Sequence, residues 1–531
     1  MLRVTSSKLI VAVAIFLMAF GNISFFTNVL AVYPLNLKNS LFLLSLAVVF
    51  GCFIVILLSL VCFRYTIKPV LTFVLVVSSL AAYFMDSYNV IIDDVMIDNI
   101  VKTDVAESLD LVSLNQLLYF IFLGVIPSAF IYKAEIIYPP LKKSALSRVK
   151  LIGLSLIIVI ATILILGGFY ASFLREHKPL RFYANPSYYI YSVGKYIGGF
   201  FESESMLLKR IGLDAAISAS DKHRKLIIFV VGETARTDHF SLNGYSRKTN
   251  LYLEEEEVIN FTNAWACGTS TAVSVPCMFS IYDRSDYSRN RAKKTENVLD
   301  VLQRAGVNVL WLDNNSDSKG VATRIPYENY KTADNNPVCD IECRDEGMLK
   351  NLSSYIDQHP QADIFIVLHQ MGNHGPAYYK RYPAQFEKFT PTCETNQLEQ
   401  CSREEIENTY DNAILYTDYF LSKTIALLKK HSDQFESTLF YVSDHGESLG
   451  ENGLYLHGLP YMIAPDTQKR IPMVMWFSDS FDNRQEVGYS ALQRQIDTEY
   501  SHDNVFHTIL GLFKVETTVY DKEMDITNHE Q

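Results

Sequence analysis

"KLIIFVVGE", residues 225–233, is an apolar run closed by a glycine and then an acid. A strand wetted on one face would alternate apolar with polar. An unbroken run fits a strand buried on both faces, as in parallel sheets covered by helices. The pattern returns in "VNVLWLD" (307–313), "DIFIVLHQ" (363–370), "STLFYVSDHG" (437–446) and "PMVMWFSD" (472–479). Helical stretches at 297–305 and 404–431 lie between these runs. The pattern predicts an α/β domain with a mostly parallel sheet over residues 222–531. In such sheets ligands sit beyond the carboxyl ends of the strands. The polar residues that close the runs, Glu233, Asp313, His369, Asp444 and His445, are therefore the first candidates for chemistry.

Upstream the chain changes character. The full sequence of 531 residues is 49% hydrophobic and 20% charged, so it is neither disordered nor disulfide-dominated. Five apolar segments, at 9–32, 41–63, 69–85, 116–137 and 151–174, approach the roughly 20 residues needed to cross a bilayer. The first is too long for the apolar core of a signal peptide. Arg3 and Lys8, then Arg64 and Lys68, then Lys133, Lys142, Lys143, Arg148 and Lys150 fall on one side of these spans. That side is expected to be cytoplasmic. The opposite loop carries Asp93, Asp94, Asp98, Asp104 and Glu107. An odd number of spans then puts everything beyond residue 174 outside. Residues 175–221 form a connector crowded with Phe and Tyr, which suit either the headgroup level or ordinary packing. The expected organisation is a transmembrane domain over 1–174, the connector over 175–221 and the soluble domain over 222–531. A net charge of −11 argues against a nucleic-acid partner.

Cys52 and Cys62 lie in the second span, and Cys267, Cys277, Cys339, Cys343, Cys393 and Cys401 lie beyond the last. Cysteines in an extracytoplasmic domain read as a disulfide framework. Pairing of sequence neighbours is expected, because each pair closes a short loop. A zinc knuckle is the rival, but no CxxC pair occurs.

Taken singly, the candidate residues are ordinary. A strand-terminal Glu233 suits a cap, "GNHGP" around His374 suits a turn, and His457 in "LYLHGLP" suits a loop. Together they form a donor set of the kind that binds zinc. "CGTSTAVSVPC" (267–277) adds a hydroxyl before an apolar helical turn. A hydroxyl at a helix start faces backbone N–H groups and the positive dipole end. A threonine there is a poor nucleophile until a metal or base activates it.

The outer domain resembles the alkaline-phosphatase/sulfatase superfamily, and the whole chain resembles the lipid A phosphoethanolamine transferases, which include the transferable polymyxin-resistance enzymes. The likeness rests on "VVGETAR", "CGTSTAVSVPCMFS", "GNHGPAYYKRYP", "FTPTC", "NTYDNAILYTD" and "SDHGESLGENGLYLHGLPY". It implies an α-helical transmembrane domain of five spans joined to a soluble α/β domain. It implies one tightly bound zinc at Glu233, Thr271, Asp444 and His445, with Thr271 as nucleophile. His374 and His457 would hold a second zinc or the substrate phosphate, with Glu447 beside a metal-bound water. Asn99, Thr103 and Glu107 would bind ethanolamine from one helix face, and Lys319 would meet the acceptor. Related sequences often carry a cysteine pair around this lysine, where this chain has Ser318 and Ala322.

The implied activity is transfer of phosphoethanolamine from phosphatidylethanolamine to a lipid A phosphate through a phosphoethanolamine-threonine, conferring polymyxin resistance. The expected setting is the bacterial inner membrane with the catalytic domain in the periplasm, and the expected state is a monomer. A sulfatase needs C-x-P-x-R, which is absent. Transfer to core heptose or Kdo, glycerol-phosphate transfer, and a non-catalytic membrane sensor are the alternatives.

Overall fold

The computed structural model describes residues 3–102, 111–175, 177–203, 208–218, 223–482 and 489–528. Its contacts divide the chain into two units, residues 1–98 with 112–198, and residues 99–111 with 199–531.

The first unit is helical. Leu37–Val61, Ile67–Tyr88, Leu114–Lys133 and Leu141–Ile165 are each long and apolar enough to cross a membrane. The segment expected to be a continuous span at 9–32 is instead a pair of helices, Ser6–Phe20 and Ile23–Val32, bent by 56°. The cause lies at Gly21 and Asn22. Asn22 Nδ2 donates to the carbonyls of Leu17 and Asn185, and its Oδ1 accepts the Asn185 N–H. Asn185 Nδ2 returns bonds to the carbonyls of Gly21 and Ser78. Backbone groups released by a bend within a bilayer need internal partners, and these two amides supply them. The last long helix also departs from expectation. It begins at Leu141 and ends at Ile165, with a separate helix over Gly167–Arg175. Lys142, Lys143, Arg148 and Lys150 are therefore helical and not in a loop. Long basic side chains can cover apolar helix while their charges reach the membrane surface.

The second unit is built on an eight-stranded sheet. In chain order its strands are β1 (Lys225–Gly232), β2 (Ile259–Trp265), β3 (Asn308–Asp313), β4 (Tyr327–Asn329), β5 (Ile364–His369), β6 (Glu436–Ser443), β7 (Arg470–Phe477) and β8 (Tyr500–Ser501). Across the sheet the order is β8-β2-β7-β6-β1-β5-β3-β4. Pairing is parallel except where β7 runs antiparallel to β2 and β6. Alternate residues of the central strands feed separate cores. Ile227, Phe229, Val231, Phe440 and Val442 pack on one face. Leu226, Ile228, Val230, Leu439 and Tyr441 pack on the other, against Tyr410, Ile414, Leu421 and Ile425 of the helix Arg403–His431. Each fully buried side chain of this size contributes about 1.5–3 kcal/mol, so the central strands are held from both sides. That helix starts at a capping box in which Ser402 and Glu405 satisfy each other's backbone N–H.

Register places the chemistry. Gly232 pairs with Ser443, Val231 with His369, and His369 with Asp313. Four parallel strands, β6, β1, β5 and β3, thus end level, and Glu233, Asp444, His369 and Asp313 reach one rim of the sheet.

Candidate active site

Glu233 and Asp444 each follow the last residue of a central strand, and His445 follows Asp444. All three are buried. Opposite them the helix Thr271–Met278 begins, with Ser270 as its N-cap. The Cys267–Cys277 disulfide closes the loop that carries this helix. Thr269 is occupied, since its Oγ1 donates to the Leu459 carbonyl at 2.6 Å. Thr271 Oγ1 instead faces the donor set, 3.3 Å from Glu233 Oε2 and 3.5 Å from His445 Nε2.

The tautomer of His445 decides what this cluster can hold. Its Nδ1–H donates to the Gly446 carbonyl at 2.8 Å, which leaves Nε2 with a lone pair. Burial pushes the His445 pKa down to about 4, so the ring is neutral near neutrality. Nε2 then stands 3.6 Å from Glu233 Oε1 and 3.3 Å from Asp444 Oδ2. Asp444 Oδ2 accepts no hydrogen bond, and burial pushes the Asp444 pKa up to about 6. Three electron-rich atoms facing one another in a dry site call for a cation between them. Tetrahedral ligands about 2.0–2.1 Å from a zinc ion stand about 3.4 Å apart. The separations here match, with Thr271 Oγ1 as the fourth corner, so these residues can hold zinc.

A second group adjoins the first. The His457 ring lies 4.2 Å from that of His445 and 5.7 Å from that of His374. Glu447 Oε1 is 3.4 Å from His457 Nδ1, and Glu447 Oε2 accepts from Tyr378 Oη at 3.0 Å. Burial pushes the Glu447 pKa up to about 8. The seven candidates Glu233, Thr271, His374, Asp444, His445, Glu447 and His457 therefore converge.

The other candidates stand differently. Lys319 has left-handed backbone, φ 54°, and its Nζ donates to the Ser316 carbonyl and hydroxyl. Asn99 lies in the helix Asp94–Lys102. Thr103 and Glu107 lie outside the described residues. Cys339–Cys343 and Cys393–Cys401 are the remaining disulfides among the described residues, and Cys52 and Cys62 are free thiols.

Several supporting residues went unnoticed in the sequence. The Thr234 N–H donates to Asp444 Oδ1, and its hydroxyl donates to Glu233 Oε1. Asn315 Nδ2 donates to Glu233 Oε2 and to the Gln370 carbonyl. His502 joins the nucleophile loop to β6: its Nδ1 accepts the Cys267 N–H and its Nε2–H donates to the Ser443 carbonyl. The buried carboxylate of Asp345 accepts from the N–H groups of Met371 and Gly372 and so pins the loop before His374. Thr234, Asn315 and His502 sit inside conspicuous motifs, the last in "SHDNVFHTILGL" (501–512); Asp345 gives no local signal.

A mostly parallel sheet with a carboxylate, hydroxyl and imidazole cluster on its rim defines a sulfatase-type domain, and the sulfatase family profile matches residues 225–515. The profile "Phosphoethanolamine transferase EptA/EptB" matches residues 50–199. The phosphatidylethanolamine transferase Mcr-2 of Escherichia coli is 44% identical over 515 residues, which is 95% of this chain and 94% of that protein. The chain belongs to the phosphoethanolamine transferase family. The integral membrane lipooligosaccharide phosphoethanolamine transferase A of Neisseria meningitidis superposes with a TM-score of 0.95 at 36% identity, covering 99% of this chain and 98% of that one. The C-terminal periplasmic domain of phosphoethanolamine transferase EptC from Campylobacter jejuni is 44% identical, with a TM-score of 0.54, covering 61% of this chain and 98% of that one.

Proposed function

We propose that the chain is a zinc-dependent enzyme of the bacterial inner membrane that moves phosphoethanolamine from phosphatidylethanolamine to a phosphate of lipid A. Its domains are the membrane part over 1–174, the connector over 175–221 and a periplasmic catalytic part over 222–531. The observation that carries this reading is the Thr271 hydroxyl, set at a helix start within 3.5 Å of both Glu233 and His445.

Glu233, Asp444, His445 and Thr271 would hold one zinc ion, which when bound lowers the pKa of the threonine hydroxyl and offsets phosphoryl charge. In the first half-reaction Thr271 Oγ1 bonds to the donor phosphorus and the bond from phosphorus to the diacylglycerol oxygen breaks. The threonine gives up its proton and the departing diacylglycerol oxygen takes one up. In the second, a lipid A phosphate oxygen bonds to the same phosphorus, the bond from phosphorus to Thr271 Oγ1 breaks, and the threonine oxygen takes a proton back. Backbone N–H groups at the start of the helix Thr271–Met278 face the developing negative charge. His374 and His457 bind the non-reacting phosphate oxygens or a second ion. The product carries an ammonium on what was a phosphate monoester of about −1.5 to −2 charge. A surface altered in this way attracts cationic peptides less, which is the basis proposed for polymyxin resistance.

Covalent transfer in two steps gives ping-pong kinetics. Purified protein given phosphatidylethanolamine without acceptor should release diacylglycerol, and the peptide over 266–279 should gain one phosphoethanolamine on Thr271. Thr271→Ala should do neither. Diacylglycerol release that strictly requires acceptor would refute the covalent step. Mass spectrometry of lipid A from cells with and without the chain tests the acceptor, and modification confined to core sugars would refute lipid A.

A further inference from the structure

The membrane unit contains a cavity of 670 Å³ that the proposed chemistry does not use. Its apolar wall comes from membrane helices: Phe50 and Phe53 on Leu37–Val61, and Val159 and Ile163 on Leu141–Ile165. Its polar end carries Arg181 and Lys195, from segments that follow the last span, together with Ser187 and Asp94. The Lys195 ammonium pairs with Asp94 at 2.9 Å. Arg181 lies over the Phe182 ring, 5.5 Å from its centroid. The Ser187 hydroxyl oxygen is buried without a hydrogen-bond partner.

The volume falls within the roughly 300–1,000 Å³ usual for ligand sites. Its lining combines aromatic and aliphatic side chains with two cations and one carboxylate. Moving an acyl chain from bilayer to such a wall gains little, because lipid tails are as apolar as the side chains. Selection therefore falls to the headgroup. A phosphodiester matches Arg181 and Lys195 through charge-assisted hydrogen bonds, and an ammonium matches Asp94.

We propose that this cavity holds one molecule of phosphatidylethanolamine, with an acyl chain between Phe50 and Ile163, its phosphate on Arg181 and Lys195, and its ammonium on Asp94. It is a holding site for the donor lipid, separate from the residues that perform transfer. The choice of ethanolamine headgroup rests on the function proposed above, whereas binding is read without any turnover.

Native mass spectrometry of the full chain in detergent, offered phosphatidylethanolamine or phosphatidylglycerol, tests it. One phosphatidylethanolamine should be retained, at least about tenfold more than phosphatidylglycerol. Arg181→Glu should lose it, and Ile163→Trp, which fills the cavity without altering charge, should lose it too. Asp94→Asn should erase the preference while keeping one lipid bound. Unchanged thermal melting identifies the variants that remain folded, and Lys195→Gln is the milder substitute where Arg181→Glu does not. Equal retention in the parent, Arg181→Glu and Ile163→Trp overturns the site, and equal retention of the two lipids by the parent overturns the headgroup assignment. Diacylglycerol release measured in parallel separates the two readings: release without retained lipid refutes this inference alone, and retained lipid without release refutes the transferase chemistry alone.

Discussion

Gly446 lies between His445 and Glu447, and a methyl group there has nowhere to go. A Cβ built on it falls 2.0 Å from the Thr467 carbonyl oxygen. Carbon does not approach oxygen closer than about 3.0 Å, so Gly446→Ala demands a displacement of at least about 1 Å. The obstruction is backbone and cannot swing aside. That carbonyl also accepts the Glu447 N–H at 2.8 Å, while the Gly446 N–H donates to Gln468 at 3.1 Å. The loop is thus clamped against the carbonyl that the methyl would displace. Metal ligands must stay within about 0.2 Å of their ideal distances, so a shift of this size at His445 should empty the zinc site. A 1 Å misplacement of reacting groups costs on the order of 100-fold in rate, and overpacking destabilises by about 1–3 kcal/mol. The assay pairs bound zinc, by atomic emission on purified protein, with diacylglycerol release from phosphatidylethanolamine. Gly153→Ala is the control, since its added methyl meets nothing within 4 Å. Full zinc and unchanged release in Gly446→Ala would refute the claim that this contact sets the position of His445.

Other outcomes follow from the same structure. Replacing Cys267 and Cys277 by Ser should lower stability by about 2–4 kcal/mol, read from denaturant unfolding, and should slow transfer by freeing the Thr271 loop. Asp444→Ala should abolish zinc retention and diacylglycerol release together, because it removes the carboxylate whose Oδ2 faces His445 Nε2; release surviving exhaustive chelation would remove the metal from the mechanism. His502→Ala should loosen both Cys267 and the end of β6, and the test is whether release falls while zinc content matches that of the parent. A reporter fused after residue 143 should lie in the cytoplasm and one after residue 531 outside; a cytoplasmic C-terminus would overturn the span count.

The central strands were legible because burial on both faces leaves continuous apolar runs, as in β1 and β6. β2 was missed, since Asn260, Thr262 and Asn263 interrupt its apolar pattern, although Ile259, Phe261 and Ala264 are buried in the core. The seven converging candidates could be named because each lies in a compact motif, at a strand end, a helix start or a loop, that carries the family resemblance. Their supports were not: Asn315 reaches Glu233 from 82 residues away, and His502 reaches Cys267 from 235. Such contacts depend on loop geometry that no local pattern encodes. The bend in the first span was hidden for the same reason. Hydropathy over 9–32 is continuous, and the amide that stabilises the break belongs to Asn185. The last long helix was placed late because a run of Lys and Arg reads as a loop, although helix and charge coexist there.

The clasp between Asn22 and Asn185 also sets an order of events. The two residues are 163 positions apart. At roughly 5–20 residues per second of synthesis, Asn185 appears roughly 8–33 s after Asn22. Throughout that interval the broken helix has lost its bilayer-depth partner and must rely on water, lipid headgroups or the insertion machinery. The first, bent helix pair is therefore provisional at birth, and it becomes final only when the segment behind the last span arrives to close it. Truncation before residue 185 should leave an N-terminal helix pair that the cell's quality control treats as unfinished, even though every long apolar helix has already been made.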